Sequence, residues 1–183
     1  FIFASDNGFF FGEHRQGDKR SAYEESLRVP LIVRYPRLAK AGTKIDAQAL
    51  YLDLAPTMLD LAGSAAAKTM QGRSLRPLLA GQTPADWRQA WLYEYYRDPE
   101  IPSFPAMLAI RTPKAKYVVY PEDPTELEEL YDLEKDPHEL KNLAFDLAAN
   151  PRAATMRKEL REQLLALMKQ AGCPELETWW KQP

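Results

Sequence analysis

Hydrophobic and polar positions divide the chain into two parts of different character. In the first part, the apolar run Phe1–Ala4 ends abruptly in polar turn residues, which is typical of a buried strand. A second apolar run over Leu27–Tyr35 predicts another strand. Residues 53–63 predict a helix, with an aspartate at the N-cap and a glycine at the stop. The order strand, loop, strand, helix is that of the end of an α/β domain.

The second part of the chain predicts a small antiparallel sheet. Residues 90–96 are rich in aromatics, and residues 106–121 read as two strands around a Thr-Pro-Lys turn. Residues 128–133 predict a further short strand, followed by an Asp-Pro turn. Asn150 and the proline after it predict the start of a long helix that covers the sheet. The predicted fold class is therefore α/β, with a domain segment at 1–85 and an antiparallel sheet and helix at 86–183.

Composition and charge exclude several classes of function. The 183 residues carry a formal net charge of −2, which gives no electrostatic footprint for nucleic acid or for an anionic membrane. A single cysteine, Cys173, rules out an internal disulfide and a cysteine zinc cluster. No apolar run approaches the roughly 20 residues that cross a bilayer, so no membrane segment is expected.

Candidate chemistry begins directly after the first strand. Asp6 and Asn7 follow the end of that strand, where ligands of open α/β sheets bind. A carboxylate beside an amide carbonyl offers two hard oxygen ligands for Ca²⁺ or Mg²⁺, and Gly8 would let the backbone turn sharply after them. Asp-Asn-Gly is also a common turn sequence without any ligand, so both interpretations stay open.

Two further residues bear on this choice. A cation beside a divalent metal makes a site for a tetrahedral anion, and Lys19 follows Asn7 by twelve residues. His14, between them, is a candidate proton donor or substrate contact. The alternatives are a solvated lysine in a polar loop and a surface histidine.

Several motifs in order resemble the sulfatase family, within the alkaline-phosphatase-like superfamily. The motifs are FASDNG, FGEH and DKRSAYEESLRVPLIVRYP, followed by YLDLAPTMLDLAG, MQGRSLRPLL, AIRTPKAKYVVY and ELYDLEKDPHELKNLA. The resemblance extends over about residues 1–145 and is to the C-terminal portion of an arylsulfatase-like enzyme. It implies hydrolysis of a small-molecule or sugar sulfate ester, with a Ca²⁺ or Mg²⁺ ion and a formylglycine.

The resemblance also implies roles for particular residues. Asp6 and Asn7 would be two of the metal ligands. Lys19 would bind the sulfate and help neutralise charge on the leaving side, and His14 would be a candidate substrate contact. The chain contains no Cys/Ser-x-Pro-x-Arg motif, from which formylglycine is made. The expectation is therefore that the formylglycine lies upstream, in a preceding part of the same polypeptide, and that this segment alone is inactive.

Two alternatives remain open at this point. The first is a phosphonate monoester or phosphodiester hydrolase of the same superfamily, since sulfate and phosphate differ little for these residues. The second is a sulfatase-like module without catalytic activity. By resemblance, an exported, periplasmic or lysosomal location is expected, and a cytoplasmic one stays open.

Overall fold

The structure is a computed structural model that describes residues 1–122, 125 and 127–173. By compactness these residues form two units. The first comprises Phe1–Asp6 and Val29–Gln89, and the second comprises Asn7–Arg28 with the described residues from Ala90 onward. Residues 7–28, which the sequence analysis assigns to the first segment, thus group with the second unit. The predicted boundary after residue 85 stays a prediction, because compactness and independent folding are different criteria.

Strands and helices alternate irregularly along the described part of the chain. Among the described residues, short 3₁₀ helices lie at Glu13–Arg15, Tyr51–Asp53 and Leu143–Asp146. The remaining elements are β1 (Ile2–Ala4), β2 (Phe10–Phe11), β3 (Gly17–Asp18), α1 (Glu24–Leu27), β4 (Leu31–Val33), α2 (Leu54–Leu61), α3 (Arg76–Leu79), β5 (Trp91–Tyr95), β6 (Met107–Arg111), β7 (Ala115–Val119), β8 (Glu128–Asp132) and α4 (Pro151–Ala171).

The first unit contains the antiparallel pair β1–β4, in which Phe3 lies opposite Ile32. Both side chains are more than half exposed, so the strand is confirmed but the prediction that it is buried is wrong. The apolar core of the unit lies instead around Leu75, Leu78 and Trp87. The predicted strand over Leu27–Tyr35 is shorter than expected, because Leu27 ends the short helix α1 and the strand begins at residue 31.

A buried carboxylate organises the first unit. Asp53 occupies the N-cap position of α2 as predicted, but its side chain does not cap that helix. It accepts hydrogen bonds from the backbone N–H groups of Leu50 (2.7 Å) and Arg73 (2.8 Å) and from the guanidinium of Arg88. Its side chain is fully buried. The carboxylate thus joins the YLDLAPTMLD and MQGRSL motifs into one hydrogen-bonded cluster.

The second unit is built on the antiparallel sheet β5–β6–β7–β8. Helix α4 covers one face and buries Leu160, Leu164 and Met168 against it. Its start is as predicted, since the Asn150 side chain accepts a hydrogen bond from Ala153 N–H at 3.2 Å. Its end is also as predicted, at Gly172 in a left-handed conformation.

The other face of this sheet is covered by the segment 7–28. Ala22 and Leu27 pack there against Met107, Ala109 and Val118. Because both faces of the sheet are covered, every residue of β7 is buried. A hairpin with one face exposed would instead alternate between buried and exposed residues. The segment that carries His14 and Lys19 thus contributes apolar side chains to the core of the second unit.

Candidate active site

Helix α1 is the structural element that brings the predicted site segments of the second unit together. The Gly8 N–H donates to the carbonyl of Ser26 at 2.8 Å. The Ser26 hydroxyl donates to the carbonyl of Lys19. His14 Nε2 lies 3.3 Å from Glu25 Oε2. Consecutive residues of one short helix therefore contact the loop after Asn7, the histidine and the lysine.

Gly8 approaches α1 so closely that no side chain fits. A Cβ at this position would lie 1.8 Å from the carbonyl oxygen of Glu25. Among the glycines, Gly8 is not one of those with positive φ. Glycine is therefore required at this position because two backbone segments touch, and not because the chain makes a sharp turn here, as the sequence suggested.

His14 is enclosed by aromatic and acidic neighbours. Its ring stacks on Tyr23 with centroids 3.9 Å apart and an interplanar angle of 6°, and the Phe10 ring meets it edge-on. Only 10% of the histidine side chain is exposed. The ring is held firmly, and its role as a substrate contact stays a prediction.

The loop around His14 has an unusual backbone. His14, Arg15 and Asp18 have φ values of 52°, 58° and 73°, in the left-handed region that non-glycine residues rarely adopt. Each such residue costs on the order of 1–3 kcal/mol and persists only where the surroundings enforce it. Clusters of this kind occur at functional sites, which favours a functional interpretation of the loop between β2 and β3.

Lys19 follows this loop and is exposed. Its backbone is fixed by the bond to Ser26, while no ion pair to its ammonium is found among the described residues. A fixed backbone with an available ammonium suits a residue that binds an anion.

The two candidate metal ligands are consecutive in sequence and are assigned to different units. Asp6 is exposed at a bend that ends the first unit's β1 segment, and Asn7 is half-buried in the second unit. The Asn7 side-chain NH₂ donates to the Gly8 carbonyl at 2.7 Å. A carboxylate and an amide fit a hard divalent cation, but two residues supply fewer than the six to eight oxygens that Ca²⁺ takes. The remaining ligands would have to come from outside this pair.

A buried network of ion pairs contacts α1 through Glu24. The Lys116 ammonium is 3.0 Å from Glu24 Oε1 and 2.6 Å from Glu139 Oε1, and the side chains of Lys116 and Glu139 are fully buried. Arg111 Nη2 adds a bond to Glu24 Oε2 at 3.0 Å. The Glu139 carboxylate also accepts from the Glu24 N–H at 2.8 Å. Two carboxylates and two cations thus balance in charge.

The two carboxyl groups of this network respond differently to their surroundings. Burial raises the pKa of Glu24, but hydrogen bonds from Arg111 and the charge of Lys116 outweigh burial and hold that pKa below 4.5. Burial also raises the pKa of Glu139. At this residue the effect of burial exceeds the lowering by the charge of Lys116, so the pKa lies above its ordinary value. The two pKa values shift in opposite directions because Glu24 is bonded by a second cation, Arg111, whereas Glu139 is not.

The buried carboxylate of Glu129 contacts Tyr23, on which the histidine ring stacks. Glu129 accepts hydrogen bonds from the hydroxyls of Tyr120 and Tyr131. Burial, followed by the charge of Glu129, raises the pKa of Tyr23 far above its ordinary value, so the phenol stays protonated at any physiological pH. The surface on which His14 stacks is therefore neutral and rigid.

Sequence reasoning missed this support. The site residues predicted from the sequence do not include Glu24, Glu25, Arg111 or Lys116. Lys116 is fully buried, although a strand lysine is ordinarily exposed. The available signal was a lysine within the otherwise apolar and aromatic stretch AKYVVY. Such a residue is buried only with a partner.

The acidic residues near the Asp-Pro turn have structural roles. The Asp136 carboxylate accepts hydrogen bonds from the N–H groups of Leu140 and Lys141, which confirms the interpretation of this stretch as a turn.

Within the described residues, no group of three or more His, Cys, Asp or Glu is arranged to hold a metal. None of the helices described is both long and apolar enough to span a bilayer.

Comparison with known proteins places this arrangement in a class. A family profile described as N-sulphoglucosamine sulphohydrolase, C-terminal, matches residues 12–170. A solved structure described as a complex with its substrate D-glucosamine-2-N,6-O-disulfate superposes with a TM-score of 0.87 and 40% identity, covering 96% of this chain and 35% of the other. The fold is that of the C-terminal part of an alkaline-phosphatase-like sulfatase, as predicted.

Two relatives with known names are also sulfatases. The N-acetylglucosamine-6-O-sulfatase of Bacteroides thetaiotaomicron is 43% identical over 171 residues, covering 92% of this chain and 30% of the relative. Arylsulfatase K of Homo sapiens is 34% identical over 148 residues, covering 78% and 27%. The chain belongs to the sulfatase family, and it spans less than a third of these two relatives.

A phosphonate monoester hydrolase is also similar in structure. That of Agrobacterium radiobacter superposes with a TM-score of 0.77 and 31% identity, covering 92% of this chain and 34% of the other. The fold is thus shared by enzymes named for different anions.

Proposed function

We propose that this chain is the C-terminal part of a sulfatase that hydrolyses sulfate esters, and that its substrate is a sulfated glucosamine. The observation that carries the proposal is the convergence of Gly8, His14 and Lys19 on one helix, in the order in which the family motifs occur. The substrate class is supported by the relative named as an N-acetylglucosamine-6-O-sulfatase and by the neighbour bound to a glucosamine disulfate.

The chain's own residues have defined tasks in this proposal. Lys19 binds a sulfate oxygen and offsets negative charge that grows on the leaving side during S–O cleavage, where a fixed cation acts without reorganising. The ring of His14, held by Glu25 and Tyr23, forms a rigid wall that can contact the substrate. Asp6 and Asn7 would hold a Ca²⁺ or Mg²⁺ ion, which when bound polarises the sulfate. A formylglycine from a preceding part of the polypeptide would supply the nucleophile.

The proposal is tested with Lys19→Ala in the longer protein. Lys158→Ala is the matched control, because that lysine is exposed on α4, outside the candidate site. We expect Lys19→Ala to lower kcat/KM for a glucosamine 6-sulfate by roughly 10²–10³-fold, the typical effect of removing one charge-stabilising group. The control should match the wild type. Equal activity of both variants would contradict the role of Lys19.

A second candidate function is phosphonate monoester hydrolysis, favoured by the superposition on the hydrolase from Agrobacterium radiobacter. Comparing kcat/KM for an aryl sulfate and an aryl phosphonate on the same preparation decides between them. A preparation of the longer protein that cleaves neither ester would favour a module without catalytic activity.

A further inference from the structure

We infer that the buried network of Glu139, Lys116, Glu24 and Arg111 positions the candidate active site, with Glu139 as the positioning residue that fixes α1 behind Gly8, His14 and Lys19. This inference rests on the proposed function for its catalytic readout. Glu139 is 115 residues from Glu24 in sequence and lies outside the site segment. It would act on the reaction only through α1.

The first step of the argument is the helix terminus. The N-cap of α1 is Tyr23, which makes no side-chain capping bond, so the first N–H groups of the helix need another acceptor. Glu139 Oε2 supplies it by accepting from the Glu24 N–H at 2.8 Å. A residue of the Asp-Pro turn thereby completes a helix of the site segment.

The second step concerns the backbone of Glu139. Its φ of 53° lies in the left-handed region, which a glutamate adopts only when its surroundings enforce it. Its side chain is fully buried beside Lys116. Both features are unfavourable for stability alone, since buried ion pairs can often be replaced by apolar packing without loss. The network specifies a geometry, namely where α1 lies on the sheet.

The third step is the connection from α1 to the site. Glu25 and Ser26 follow Glu24 directly and make the contacts to Gly8, His14 and Lys19. In a helix of four residues, any displacement of Glu24 displaces these contacts as well. Misplacement of reacting groups by about 1 Å can lower a rate by roughly 10²-fold.

The test compares Glu139→Gln with Glu128→Gln in the longer protein. Glu128 is the control, since its carboxylate is largely buried and is bonded to a guanidinium, that of Arg157 on α4, and to Tyr117 on β7 rather than to α1. Both variants should lose stability. At a temperature where both remain folded, we expect kcat to fall roughly 10- to 100-fold for Glu139→Gln and to stay unchanged for Glu128→Gln.

The double variant Glu139→Gln with Lys116→Met separates positioning from stabilisation. It removes one charge of each sign, so thermal stability should recover relative to Glu139→Gln while kcat stays low. Recovery of both quantities together would overturn the inference. So would equal kcat values of Glu139→Gln and Glu128→Gln.

Hydrogen exchange distinguishes failure of this inference from failure of the proposed function. Exchange of the amides in residues 7–28 should accelerate in Glu139→Gln and not in Glu128→Gln. If the protein proves inactive on sulfate esters, or if Lys19→Ala is fully active, the proposed function fails, and accelerated exchange in Glu139→Gln alone still supports the positioning of α1. Unchanged exchange in that variant overturns it.

Discussion

Replacing Gly8 with alanine puts a methyl group where the carbonyl oxygen of Glu25 already lies. The distance would be 1.8 Å, whereas ordinary van der Waals contacts begin at 3.4 Å. The obstacle is backbone on both sides, so no side-chain rotation relieves it. The loop after Asn7 and helix α1 must separate by about 1.6 Å, the difference between these two distances.

The size of the effect follows from two contributions. Overpacking typically costs about 1–3 kcal/mol. The separation also stretches the hydrogen bond from Gly8 N–H to the Ser26 carbonyl, which contributes about 1 kcal/mol. We therefore expect the free energy of unfolding to fall by about 2–4 kcal/mol and, because the site segments move apart, kcat to fall by roughly 10²-fold.

Gly17→Ala is the matched control for this experiment. Gly17 belongs to the same unit, its φ is not positive, and a Cβ there meets nothing within 4 Å. Urea denaturation followed by tryptophan fluorescence gives the stability of both variants, and initial rates give kcat. Equal stability and equal rates for the two variants would refute the reasoning. If Gly8→Ala does not fold, Ser26→Ala removes the hydroxyl that donates to the Lys19 carbonyl without adding volume, and it should lower stability by about 1 kcal/mol together with kcat.

Two further outcomes are expected. Gly72→Ala should destabilise the first unit by about 1–3 kcal/mol, because a Cβ would lie 1.9 Å from the Leu52 carbonyl oxygen; an unchanged unfolding midpoint would contradict this. Burial raises the pKa of Glu128, but hydrogen bonds from Arg157 and Tyr117 outweigh burial and hold that pKa below 4.5. The stabilisation by Glu128 is therefore fully present above pH 4.5 and is lost as the pH falls through the lowered pKa. The stability difference between wild type and Glu128→Gln, about 1.5–3 kcal/mol at pH 7, should shrink on acidification, and a constant difference from pH 7 to pH 3 would argue against it.

Short-range sequence patterns correctly predicted those elements whose formation depends on neighbouring residues. Asn150 and Gly172 mark the ends of α4, and the hairpin around residues 112–114 is found where expected. These features depend on neighbours a few positions apart, so the sequence alone contains the relevant physics.

Long-range pairing was beyond such patterns. Helix α1 overlaps the predicted strand only at Leu27, and the first N–H of the helix donates to Glu139, 115 residues away. Lys116 is charged, which favours exposure, and it is buried only because two distant carboxylates surround it. The candidate residues His14 and Lys19 could be named from motif order, but the helix that contacts both could not.

The covering of one sheet face by residues 7–28 also bears on synthesis at the ribosome. The site segment emerges long before the strands on which it packs, and Glu24 precedes its capping partner by 115 residues. At about 5–20 residues per second, the segment waits roughly 6–23 s for that partner. A chain released early would carry His14 and Lys19 without the surface that shapes them. The hydrogen bond that caps α1 can therefore form only after the chain has been translated through β8 and the Asp-Pro turn.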